Sequence, residues 1–152
     1  MEIVKATMDD ISIIVDMKIK MSEELGISHI FQDNIEEKIR EEYTYLYKKD
    51  KCFHYMVKEN NRIVAIGGAV IKSDVPFCFF KTPYYGYIID IYCVPEMRKK
   101  GYATRIIESI LALLKEKGIK QVKLKPSNQG KDLYIKMGFS NSEEMEMTLE
   151  NS

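Results

Sequence analysis

The most constraining feature of this chain is a single junction. The run Tyr87 to Val94 is apolar at nearly every position, with Asp90 its one charged interruption, as in a strand buried on both faces. It breaks at Pro95, passes through the basic turn Arg98-Lys99-Lys100-Gly101, and enters a segment whose apolar residues fall at helical spacing. Ala103, Ile106, Ile107, Ile110, Leu111 and Leu114 make one stripe, Lys115 and Lys117 sit in its last turn, and Gly118 ends it. A strand feeding a long amphipathic helix must be followed by a sheet on which that helix can pack, so the junction predicts an α/β sandwich. The first amides of such a helix lack internal partners and carry the positive end of its dipole, so they can receive a phosphate. Gly101 admits a close ligand, Arg98, Lys99 and Lys100 add charge, and Thr104 offers a hydroxyl. Taken alone, one glycine among basic residues also fits a plain solvated turn.

The rest of the chain agrees with a sandwich. Ile3 to Ala6 reads as a strand, and Thr7 with Asp10 three residues on reads as a capping box opening a helix through Ile11, Ile14, Val15 and Met21 to Gly26. A second helix is predicted from about Asp33 to Lys49. Phe53, Tyr55 and Val57 alternate as a strand, Asn60-Asn61 makes a tight turn, and Ile63 to Ile71 returns. Gln121 to Leu124 is a short strand, residues 128–137 a short helix ended by Gly138, and Met145, Met147 and Leu149 alternate in a last strand. The predicted order is β-α-α-β-β-β-α-β-α-β-β round a central mixed, mostly antiparallel sheet, in one domain spanning 1–152. Residues 73–85, with two prolines and several aromatics, are assigned to no element.

Composition narrows the partners. The chain has 23 basic and 23 acidic residues among 152, a balance that argues against a domain gripping nucleic acid by its phosphates. No apolar run approaches the roughly 20 residues of a membrane-spanning helix, and the N-terminus lacks the pattern of a signal peptide, so a cytoplasmic protein is expected. Cys52, Cys78 and Cys93 are odd in number and widely spaced, with no metal-binding pattern, and read as ordinary thiols. His29 and His54 are isolated and read as packing or surface histidines.

A second segment, Leu133-Tyr134-Ile135-Lys136-Met137-Gly138-Phe139, stands one helix-strand unit beyond Gly101. Together the two segments resemble the GCN5-related N-acetyltransferase (GNAT) superfamily. Arg98-Lys99-Lys100-Gly101-Tyr102-Ala103 is similar to its cofactor motif R-x-x-G-x-G/A, and Tyr134 to Phe139 to its Y-x-x-x-G-F. The resemblance covers essentially the whole chain and implies acetyl-CoA as co-substrate, no metal, a primary amine as acceptor, and direct attack in a ternary complex. It puts the cofactor arm on the backbone of Ile91, Tyr92 and Cys93, and the pyrophosphate on Arg98, Lys99, Lys100, Gly101, Tyr102, Ala103 and Thr104. It puts the acid that protonates the departing thiolate at Tyr134. Two family slots differ: Ser127 stands where asparagine is common, and Gly130 where alanine is. Ser127 keeps a polar contact to the cofactor arm, with shorter reach.

An ordinary alkylamine, with pKa near 10.4, is almost wholly protonated at pH 7, so its proton must be taken before attack. The family's usual glutamate slots hold Tyr87 and Ile89. Asp90 is the one carboxylate of that strand, read either as a catalytic, substrate-touching group or as a buried structural one. Met21, Glu24, Phe31, Tyr85, Tyr87 and Asp90 are candidates for the acceptor wall. A member without its glutamate could instead be an acyl-CoA-binding sensor or partner module without catalysis. Small enzymes of this kind also often form homodimers.

Overall fold

A computed structural model describes residues 1–28, 33–75 and 83–150. Phe31, His29 and Cys78 lie outside these residues. The elements are β1 (Glu2–Lys5), α1 (Ile11–Glu24), α2 (Ile35–Lys48), β2 (Cys52–Glu59), β3 (Arg62–Ser73), β4 (Tyr84–Cys93), α3 (Tyr102–Glu116), β5 (Val122–Lys123) and α4 (Lys131–Lys136). The sheet order is β1-β2-β3-β4-β5; β1 to β4 pair antiparallel and β5 pairs parallel to β4 through the α3 crossover. This is the mixed sheet with flanking helices that the sequence predicts.

Local signals act as expected. The Asp10 carboxylate accepts from the Thr7 N–H at 2.8 Å, and a short 3-10 turn leads into α1. Asn60 and Asn61 both take positive φ and close the β2–β3 hairpin. Ile106, Ile107, Ile110 and Leu114 of α3 are fully buried on one face of the sheet. Ile14, Val15 and Tyr43, from α1 and α2, are buried with Val57, Val64 and Ile66 in the same core. Gly86 lets Leu114 lie against the sheet, since a Cβ there would stand 2.6 Å from the leucine.

The end of the chain differs from expectation. Beyond Gly138 none of the described residues forms a strand, and Met145 is 99% exposed. Alternation makes a strand only where one face has something to pack on. Met145, Met147 and Leu149 all face solvent, while Lys123–Glu144 and Lys125–Glu146 ion pairs, 3.5 and 3.6 Å, tie the segment to the region of β5.

Candidate active site

The site begins with a splayed sheet. β4 and β5 pair only at Gly86↔Val122 and Tyr87↔Lys123, so β4 runs on to Cys93 without a β5 partner. A cleft of about 710 Å³ lies along that stretch, lined by Ile91, Tyr92 and Cys93. It continues past Arg98, Lys99 and Gly101 to the first turn of α3, and across to Ser127 and Tyr134. The two sequence segments, remote in the chain, therefore meet on one cavity.

The turn before α3 is built to present amides. Lys99 has φ 63° and Gly101 φ 79°, left-handed positions of the kind that turn successive amides toward one side. A Cβ at Gly101 would meet nothing within 4 Å, so glycine is needed there for its φ and not for space. The first bond of the helix is Arg105 N–H to Gly101 carbonyl, 3.1 Å, leaving the amides of Tyr102, Ala103 and Thr104 without helix partners. Tyr102, Ala103 and Thr104 line the cleft; Lys100 does not, and its ammonium meets the Met97 sulfur at 3.7 Å.

Arg98 is more constrained than its motif suggests. Its Nε donates to the Cys93 carbonyl at 2.9 Å, and its guanidinium grips Glu24, the last residue of α1, at 2.6 Å. The Arg98 hydrogen bond holds the Glu24 carboxyl below its usual range even though burial opposes it. Part of the positive charge assigned to phosphate is thus already answered by a carboxylate. Glu24 is the one carboxylate among the described residues lining the cleft.

Tyr134 is half-buried in α4, edge-on to Phe139 with ring centroids 5.7 Å apart. Burial raises its hydroxyl pKa above the ordinary tyrosine value, so it keeps its proton at neutral pH and is able to donate it. Ser127 accepts from the Gly130 N–H at 3.1 Å, and its own O–H remains able to donate.

Asp90 is elsewhere. Its carboxylate side chain is 1% exposed and does not line the cleft. Oδ1 accepts from Lys18 Nζ at 2.5 Å; Oδ2 accepts from the Tyr43 hydroxyl and lies 2.9 Å from His54 Nε2. Burial alone would raise its pKa, but His54 and Lys18 outweigh burial and hold it well below the carboxylate range. A carboxylate so occupied is a poor proton acceptor, which counts against the direct base role open to it from sequence. Tyr87 is half-buried beneath Lys72 Nζ, 4.2 Å from its ring, and does not line the cleft. Cys93 lines the cleft, but burial pushes its thiol pKa up, and Cys52 is pushed to about 12 by burial first and then by Asp90. Met97, Asn128, Gln129 and Leu133 also line the cleft and were not picked from sequence; the polar pair immediately before α4 was their one visible signal.

Comparison with known proteins agrees with this fold. Residues 21–139 match the Acetyltransferase (GNAT) family, and the chain belongs to that family. A predicted acetyltransferase from Clostridium acetobutylicum, in a crystal structure with acetyl-CoA, is 26% identical, with TM-score 0.88 over 97% of this chain and 96% of that one. A GCN5-related N-acetyltransferase from Ralstonia eutropha JMP134 has the same fold at TM-score 0.88, with 21% identity and 97% of each chain covered. Glucosamine-6-phosphate N-acetyltransferase from Arabidopsis thaliana shares the fold at TM-score 0.69, with 21% identity over 98% of each chain. Among curated proteins none matches the chain in sequence.

Proposed function

We propose that the protein is an acetyl-CoA-dependent N-acetyltransferase that acetylates a primary amine by direct attack in a ternary complex. The observation that carries this reading is the convergence on one cleft of the unpaired edge of β4, the free amides at the start of α3, and the protonated Tyr134 hydroxyl. Bound there, acetyl-CoA supplies an activated thioester. The curled backbone at Lys99 and Gly101 and the amides of Tyr102 to Thr104 take the pyrophosphate. The backbone of Ile91, Tyr92 and Cys93 holds the arm and, where β4 carries one residue more than β3 opposite Gly67, meets the negative charge that develops on the carbonyl oxygen, a term that is usually the largest in acyl transfer. As the amine nitrogen bonds to the carbonyl carbon and the C–S bond breaks, the Tyr134 hydroxyl gives its proton to sulfur. Solvent returns that proton to Tyr134 and takes the one released by the amine.

One observation favours a second reading, a cofactor-binding module without catalysis. Among the described residues no free carboxylate faces the cleft, since Glu24 is paired with Arg98 and Asp90 is buried away from it. Thiol release from acetyl-CoA with a panel of amino sugars, polyamines and peptide amines separates the two. The enzyme reading expects turnover with at least one amine, and a Tyr134→Phe variant about 100-fold slower with acetyl-CoA binding retained. Tight acetyl-CoA binding with no turnover on any amine would establish the module instead.

A further inference from the structure

The pairing of β4 with β3 slips at one place: Gly68 faces Ile89 and Ile66 faces Tyr92, so two residues, Asp90 and Ile91, stand opposite Gly67. Asp90 is the extra one. A Cβ on Gly67 would touch Ile91 and Ile106 of α3, whereas Asp90 turns away to Lys18 of α1, Tyr43 of α2 and His54 of β2. Its φ is 59°, a left-handed conformation that a residue with a side chain keeps only when its surroundings over-determine it. Its surroundings do so: both carboxylate oxygens are engaged, and His54, itself fully buried, is braced from behind by the Tyr47 hydroxyl 2.7 Å from Nδ1. Asp90, His54, Tyr43, Tyr47 and Lys18 do not line the cleft, but the next three residues of β4 do. One peptide unit, Asp90 to Ile91, joins the buried cluster to the cleft.

We propose that Asp90 is a positioning residue: gripped by Lys18, Tyr43 and His54, it locks the bulge of β4 in the conformation that aims a strand amide at the acetyl carbonyl oxygen. This rests on the acetyltransferase reading above and adds to it what holds the donor in place. No acceptor amine is needed to test it. Calorimetric titration compares acetyl-CoA with S-ethyl-CoA, a thioether of similar size that lacks the carbonyl oxygen. In the wild type, acetyl-CoA should bind about three- to tenfold more tightly, the worth of one amide hydrogen bond. Asp90→Gly permits the same φ but removes the grip; its ratio should fall to about one while its S-ethyl-CoA affinity stays within about twofold of wild type. Lys18→Met keeps the stem of a partly exposed side chain and removes only the ammonium, so it reports even if the glycine variant fails to fold. Its ratio should fall to roughly half the wild-type value. An unchanged ratio in Lys18→Met, or both ligands weakened by the same factor in either variant, would overturn the positioning role. Failure of both ligands to bind the wild type would instead remove the acetyltransferase reading on which it stands.

Discussion

At the scale of single residues, the site is distinguished by how its ionisable groups are held. Tyr134 is kept protonated by burial, Glu24 is kept ionised by Arg98, and Asp90 is kept ionised by His54 and Lys18 against the cost of burial. None of these groups is set to change charge between pH 6 and 9. The acceptor amine does change: below its own pKa, near 10.4 for an alkylamine, its free-base fraction rises tenfold per pH unit. For any amine that turns over, log kcat/KM should therefore climb with unit slope across this range, up to the amine's own pKa. A profile that bends and levels near pH 7 would contradict this and reveal an enzymic base. The place of Tyr134 on the cleft was legible in the sequence because it stands in a local motif. The state of Asp90 was not, because its three partners come from positions 18, 43 and 54, and nothing local marks them as its neighbours.

At the scale of elements, two glycines in the middle of β3 permit what the site requires. Gly67 leaves room for the Ile91 side chain beside Ile106 of α3, and Gly68 leaves room for the His54 ring. A Cβ at Gly68 would stand 2.5 Å from that ring and 2.6 Å from the Phe53 carbonyl oxygen, and the second cannot be relieved by a side-chain rotation. Gly68→Ala should lower unfolding free energy by about 2 kcal/mol, read from denaturant titration. A variant as stable as wild type would show that His54 is not tightly held. The strands and helices themselves were readable from period, caps and turn residues, and the Asn60-Asn61 hairpin and the α3 stripe formed where expected. The bulge was not readable, because a register slip is a relation between two strands. The last strand was read from alternation alone, and alternation does not say whether a face exists to bury it.

At the scale of the whole molecule, the chain carries no net charge, with 23 residues of each sign, yet it gathers Arg98, Lys99 and Lys100 at one helix start. The distribution matters more than the sum: Arg98 is tied to Glu24 and Lys100 points to Met97, while Lys99 and the amides at the start of α3 line the cleft. Among the described residues no helix is long and apolar enough to cross a membrane, and no group of three or more His, Cys, Asp or Glu could hold a metal ion. The fold's contribution to the chemistry is geometric. By parting β4 from β5 after two ladder residues, it opens a slot with the free amides of α3 at one end and the Tyr134 ring of α4 across from the β4 edge. A crystal structure with CoA bound tests this arrangement most directly. The account predicts the pyrophosphate on the amides from Lys99 to Thr104 and the sulfur within hydrogen-bond reach of the Tyr134 hydroxyl. A sulfur more than about 5 Å from that hydroxyl, beyond direct proton transfer, or a pyrophosphate bound away from the start of α3, would contradict it.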